Sequence, residues 1–306
     1  MRIAATPRCP SCEAREVRKV GALPHVTVFA GRNAADALPA SSLFRCVACG
    51  LAFRHPILTS SAYDSLYGKA DPAAWPGGPD RVDWALIEGF LARNFPAGAN
   101  LLDFGCHTGG LLQRIGPRHA RTGIEVNENA AQVAREKAGA EVFPSLESLP
   151  LGKRFDLVTA VDVVEHFADP GRVIAALLEV VKPGGALIIT TGDADAWLGR
   201  ITGSRWWYCY YPEHLAFLSE QWIRHWLRTT AQRARVAEVR RFRYVRRGPL
   251  RFVRHAAFTL IYHLAPDTCA WLLRRVKRGR GRESGAEPPG SGLTKDHVFF
   301  ALRKTA

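Results

Sequence analysis

At 306 residues the chain is long enough to bury a substantial core and to hold one main domain with an appended one. Its 47% hydrophobic content and eight tryptophans exclude a disordered chain. The net charge of +14 is local: Arg224–Arg282 holds 17 Lys/Arg against Glu238 and Asp267, which is +15, so the rest sums to −1 and the basic segment points to a local anionic partner.

The opening MRIAATPRCP has no apolar core of signal-peptide length, and no uncharged apolar run reaches the roughly 18–20 residues of a membrane span. The expectation is a cytoplasmic protein, peripheral on the inner face of the membrane if the basic segment docks there. Seven cysteines, four of them in two C-x-x-C pairs, fit metal binding in a reducing compartment better than a disulfide framework. Cys9, Cys12, Cys46 and Cys49 supply four thiolates, the donor set of a tetrahedral, closed Zn²⁺ site. Residues 1–56 are therefore predicted as a small four-cysteine zinc ribbon, with the metal structural.

Residues 57–94 read as a helical linker or cap: a helix over Thr59–Leu66, a loop over Lys69–Asp80 and a helix over Val82–Asn94. Tyr63 and Tyr67, four apart, either pack this helix on the main domain or help to cover a ligand. Strands and helices then alternate over 95–244. Strands are predicted at Asn100–Gly105, Thr122–Val126, Glu141–Phe143, Phe155–Val161, Ala186–Thr191 and Arg235–Arg243, with helices beginning at Gly110, Glu128, Gly171 and Ser219. Residues 245–292 form a basic amphipathic insertion, and 293–306 return as a last strand, His297–Arg303. The pattern predicts an α/β fold with a mostly parallel sheet, whose ligands bind beyond the carboxyl ends of the strands.

LLDFGCHTGG (Leu101–Gly110) is an apolar strand running into a glycine-spaced turn, and Glu125 lies where the second strand ends. An acid there can accept both hydroxyls of a ribose. With FDLVTAVDVVEHFADP (Phe155–Pro170) and VVKPGGALIITT (Val180–Thr191), this order and spacing resembles class I S-adenosylmethionine-dependent methyltransferases. The resemblance covers roughly 95–230 and implies a seven-stranded Rossmann-like sheet. It implies that S-adenosylmethionine is held by Asp103, Gly105, Cys106, His107, Gly109, Glu125, Val126 and Asp162, with Ser145 and Leu146 where the adenine lies. His107 departs from the family's middle glycine; it either crowds the methionine end of the cofactor or contacts its carboxylate.

Two Glu-His pairs are candidates for the chemistry. Glu165-His166 is either an ordinary helix start, a group facing the acceptor, or, with Asp162, a divalent-metal site of the kind some quinone O-methyltransferases carry. Glu213-His214 follows Trp206, Trp207, Tyr208, Tyr210 and Tyr211. It reads either as a packed loop or as an acceptor pocket with a base near neutral pH. An N-terminal four-cysteine ribbon with Tyr211, Glu213 and His214 also resembles sugar C-methyltransferases. That resemblance implies His214 as general base, Glu213 as its partner and a small or lipid-linked acceptor.

Pro249–Lys277 mixes apolar and basic residues at helical spacing, and RRVKRGRGR follows. It reads as a solvated helix, as an anionic-membrane partner spanning Arg240–Arg282, or, less well given its Leu, Ile and Ala, as a nucleic-acid surface. The rival functions are an RNA methyltransferase and a non-catalytic methyltransferase-fold binding protein.

Overall fold

The computed structural model describes residues 7–34, 37–68, 70, 81–244, 248–265, 268 and 293–305. The N-terminal part contains β1 (Val17–Ala22), β2 (Val28–Phe29), β3 (Arg32–Asn33), β4 (Ser42–Cys46) and β5 (Ala52–His55). Helices α1 (Ser60–Tyr67) and α2 (Val82–Asn94) follow. The loop expected over Lys69–Asp80 lies, apart from Ala70, outside the described residues.

The main sheet then alternates as its hydrophobic pattern demands: β6 (Asn100–Phe104), α3 (Gly110–Ile115), β7 (Ala120–Ile124), α4 (Glu128–Ala138), β8 (Glu141–Phe143), β9 (Phe155–Val161), α5 (Pro170–Val180) and β10 (Val181–Gly192). After it come α6 (Trp197–Thr202), β11 (Ala216–Phe217), α7 (Glu220–Thr229), β12 (Ala234–Phe242), α8 (Pro249–Leu264) and β13 (His297–Lys304). Seven strands line up in the order β12-β13-β10-β9-β6-β7-β8. β6, β7, β8, β9 and β10 pair in parallel, and β13 runs antiparallel between β10 and β12. Central β10 is buried from Ala186 to Gly192, as expected of a strand covered on both faces. Expected strand limits shift by one or two residues, so that β6 ends at Phe104 and β7 at Ile124, before Glu125; β10 shifts more and begins at Val181 rather than Ala186.

Helix ends follow side-chain capping. Asn127 accepts from the Ala130 amide at 3.1 Å at the start of α4, and Ser219 accepts from Trp222 at 3.1 Å at the start of α7. On α7, Trp222, Ile223 and Trp226 share the buried face. Trp226 lies on Gly171, where an added Cβ would come within 2.5 Å of its indole nitrogen, so only glycine lets α5 and α7 approach this closely.

The N-terminal sheet has the order β1-β4-β5-β11, so its last strand comes from residues 216–217 of the main chain segment. Cys9, Cys46, Cys49, Leu51 and Phe53 join Trp222, Ile189 and Phe300 in one buried cluster. Trp222 donates its indole N–H to Ser11 Oγ at 3.2 Å. The cysteine ribbon thus shares its core with the main sheet. Within the basic insertion, residues 248–265 carry α8; Pro266, RRVKRGRGR and Glu283–Gly292 lie outside the described residues.

Candidate active site

The turn after β6 is built from backbone. Gly105 has φ +75° and sits against Val163, where a Cβ would meet Cγ2 at 2.5 Å. Gly109 has φ +74°, and a Cβ there would come within 2.9 Å of Ala134 Cβ. Both positions require glycine. His107 occupies the same left-handed region, φ +49°, and so keeps the turn of a glycine at the cost of strain. Its amide donates to Glu125 Oε2 at 2.9 Å, while the Asn127 amide donates to Oε1 at 2.8 Å. Each Glu125 oxygen thereby keeps a lone pair for a ligand hydroxyl. Cys106 is buried in the space that Gly123 leaves open, its sulfur 2.5 Å from where a Cβ would stand.

Asp103, in β6, is buried and takes a hydrogen bond from Thr159 Oγ1 at 2.7 Å. Burial pushes its carboxyl up to about 7. Val126 is 70% exposed, an apolar face beside Glu125. Ser145 and Leu146 follow β8 and are half-buried; the Ser145 amide donates to Ser148 Oγ at 3.2 Å. Asp162, at φ +53°, accepts from the Arg81 guanidinium at 2.6 Å. Arg81 also grips Asp83 and lies over the rings of Trp84 and Tyr244. The sequence reading passed over Arg81, which stands alone before α2 and meets its partner 81 positions away.

The second half of the site is a run of rings. Tyr67 and His166 stack at 6.0 Å, His166 and His214 at 5.3 Å, and Tyr208 lies 4.0 Å from His214. Tyr208 then meets His297 at 5.2 Å, and Tyr244 stacks on His297 at 4.6 Å. Tyr67 Oη lies 3.1 Å from His166 Nδ1. Tyr208 donates its hydroxyl to Glu165, which is buried and pushed up to about 8 by that burial and by Asp162. Burial pushes His166 down to about 4 and holds His214 well below the imidazole range. His214 Nδ1 lies 2.8 Å from the carbonyl of Tyr208, an acceptor. Nδ1 therefore carries the proton, and neutral His214 keeps Nε2 as a base.

Glu213 does not orient His214. Its Oε1 accepts from the Ala30 amide in the N-terminal part, and the Tyr208 carbonyl fixes the imidazole instead. The reason is the turn before β11, which carries Glu213 toward the ribbon while His214 faces the rings. Tyr211 lies 5.2 Å from His214, ring to ring.

Arg54, a buried residue of β5, holds this segment in place. It donates to the carbonyls of His214, Cys209 and Tyr211, each at 3.0 Å. Its own amide pairs with the Leu215 carbonyl at 2.8 Å. A charged residue directly after the apolar run Leu51-Ala52-Phe53 was the one available signal. His297 was also missed: it is buried, and neither ring nitrogen has a hydrogen-bond partner, although Asp296 Oδ1 lies 3.5 Å from Nδ1. Asp162 Oδ1, Glu165 Oε2 and Thr190 Oγ1 are likewise without partners.

Two clusters have metal-ligand spacing. The four ribbon cysteines lie within 4.8 Å of one another, with Cys9–Cys49 and Cys12–Cys46 at 3.5 Å. A tetrahedral Zn²⁺ with bonds of about 2.3 Å needs sulfurs about 3.8 Å apart, so the donor set fits. Glu165, His166 and His214 form the second cluster within 4.8 Å. No helix among the described residues is long and apolar enough to cross a membrane.

Comparison with known proteins agrees with this geometry. Residues 83–230 match a family described as "Methyltransferase domain". The ubiquinone biosynthesis O-methyltransferase of Aromatoleum aromaticum is 31% identical over 144 residues, covering 42% of this chain and 57% of that protein. The mitochondrial protein of the same name from Schizosaccharomyces pombe is 31% identical over 121 residues, 36% of this chain and 44% of that one. The chain thus spans about half the length of the curated relatives it matches. Among solved structures, the [4+2]-cyclase SpnF aligns with a TM-score of 0.50 and 19% identity, over 81% of this chain and 97% of that one, a likeness of fold. Five of the seven strands of the Rossmann-like mixed sheet, β6 to β10, lie within the matched residues.

Proposed function

We propose that the protein transfers a methyl group from S-adenosylmethionine to a small or lipid-linked acceptor bearing hydroxyl groups, a sugar of surface-glycan or secondary metabolism, with His214 as general base. The observation that carries this reading is the bond between His214 Nδ1 and the Tyr208 carbonyl. It leaves Nε2 unprotonated within the run of stacked rings.

The residues fit the cofactor: Gly105 and Gly109 keep a left-handed turn with no room for a Cβ, and Glu125 offers free lone pairs. Gly105, Gly109 and Glu125 would hold its backbone-facing and ribose parts, with Val126, Ser145 and Leu146 around the adenine and Asp103, Cys106, His107 and Asp162 shaping the turn. When bound, the cofactor supplies an electrophilic methyl group. This chain's residues place the nucleophile in line with it, exclude water and take the proton at His214 Nε2. Tyr211 and Tyr208 wall the space, and His166 stacks on the base. The unpartnered atoms of Asp162, Glu165, Thr190 and His297 favour a polyhydroxylated acceptor, since each costs about 1–3 kcal/mol until it is paired. Zn²⁺ on Cys9, Cys12, Cys46 and Cys49 would hold the ribbon, and through Arg54 the loop that carries His214.

A second reading rests on the Glu165, His166 and His214 cluster: a divalent metal held there would orient an acceptor oxygen in place of a base. Assay of methyl transfer to nucleotide-linked and lipid-linked sugars separates the two. Under the first reading, turnover survives complete chelation of loosely held divalent ions and falls at least about 100-fold in His214→Asn. Turnover that vanishes on chelation and returns with Mg²⁺ or Mn²⁺ would favour the metal. No methyl transfer to any sugar by the cofactor-loaded protein would remove the sugar assignment.

A further inference from the structure

Helix α8 leaves an aliphatic face exposed. Its 16 residues make a rod of about 24 Å. Leu250, Val253, Leu260 and Leu264, spaced by threes, fours and sevens, lie on one face and are 84%, 65%, 60% and 77% exposed. The opposite side carries Thr259, which is buried and donates to the His255 carbonyl at 2.8 Å. Phe252, His255 and Tyr262 share that inward side, half-buried, and the aliphatic side faces outward. Near the carboxyl end of α8, Arg205 donates to the His263 carbonyl at 2.8 Å, which ties the helix to the segment following α6. There Trp197 and Ile201 add two more outward apolar side chains, 62% and 74% exposed.

Charge selects the occupant. From Val239 to Pro266 the chain has seven arginines and no acidic residue. Arg200, Arg205, Arg243 and Arg254 are exposed around the apolar side chains. A second copy of the chain would bring two such arginine sets together, a repulsive arrangement. A polyanion read by base stacking would need aromatic rings on this face, where α8 offers Leu and Val. An anionic bilayer satisfies both halves: aliphatic side chains sink to the acyl boundary, and arginines reach headgroup phosphates.

We infer that α8, with Trp197 and Ile201 of α6, docks the protein on an anionic lipid surface. The chain enters α8 from Phe242 and Tyr244, and Tyr244 stacks on His297 at the end of the ring run. Docking therefore brings that end of the site toward the headgroups. This consequence for a lipid-linked acceptor rests on the reading of the rings as the acceptor site; the docking itself does not.

The test is flotation of the full-length, zinc-replete protein with vesicles of equimolar phosphatidylglycerol and phosphatidylcholine, against phosphatidylcholine alone. The wild type should float with the anionic vesicles, and less so as salt rises. Leu260→Asp/Leu264→Asp should lower the bound fraction at least about tenfold. Leu151→Asp, at a fully exposed loop leucine elsewhere, should change nothing. Titration with S-adenosylhomocysteine checks that the variants are folded, and flotation requires no methyl transfer, so the docking and the proposed activity fail separately. Equal flotation of wild type and the α8 variant, equal flotation on neutral vesicles, or no flotation overturns the proposal. So does a concentration-dependent dimer that the α8 variant loses, because a second copy would then cover the face.

Discussion

The two halves of the site are held by different means. The cofactor half is made of backbone: two left-handed glycines, His107 in a glycine's conformation, and amides of residues 107 and 127 on Glu125. The half proposed to take the acceptor is made of side chains from five places, Tyr67, His166, Tyr208, His214 and His297. It is positioned by a separate small sheet through Arg54 and β11. A turn of backbone can be kept by a short motif. A pocket assembled across the chain needs an external brace, and here the cysteine ribbon is that brace.

The comparison predicts that lesions divide by half. The largest effect belongs to the base: His214→Asn should lower kcat by about 100- to 10,000-fold while leaving S-adenosylhomocysteine affinity within about twofold. Loss of cofactor binding in that variant would show that the halves are not separate. Arg54→Met comes next. It takes the donor from the buried His214 and Cys209 carbonyls, while the Tyr211 carbonyl keeps the His214 amide, so urea denaturation should show about 3–5 kcal/mol of lost stability. Near-ultraviolet tryptophan signals from Trp206 and Trp207 should move before those of the main sheet. A smaller effect is expected from chelating the ribbon metal, which should raise the acceptor KM more than it weakens cofactor binding. Equal loss of both would make the ribbon a support for the whole fold rather than for one half.

The smallest effect is on pH. His166 is held at about 4 in the fold, against about 6.5 for a free imidazole. The unfolded chain therefore takes up a proton that the fold refuses, so His166 contributes stability above about pH 6.5 that is lost progressively down to about 4. His214 shifts in the same direction, so the acid limb of kcat/KM should lie below the ordinary imidazole range. Stability of wild type and His166→Gln, measured between pH 7 and 4, should converge as the pH falls; parallel curves would contradict this.

The same contrast explains what could be read from the sequence. Strand–turn–helix order, Gly105, Gly109, Glu125 and the Cys pairs were legible because each is local, and spacing alone carries the physics. The seven-strand order follows from alternation and the last antiparallel strand. The acceptor half was legible only in part. His214 and Tyr211 stood out in an aromatic loop, but Glu213 was given the wrong partner, since only tertiary structure shows that it bonds Ala30. Arg54, Arg81 and His297 act across separations that no local pattern encodes. Arg54 meets His214 across 160 positions. The outward aliphatic face of α8 was equally hidden, because periodicity shows that a helix has two faces and not which one turns inward.

One measurement tests the central claim most directly: calorimetric titration of the zinc-replete protein with S-adenosylhomocysteine, for wild type, Glu125→Ala and His214→Asn. The account predicts roughly micromolar binding by wild type and His214→Asn, and loss of it in Glu125→Ala. Absence of binding by the folded wild type would contradict it, and would mean that His107 has closed the turn and left a scaffold without its cofactor.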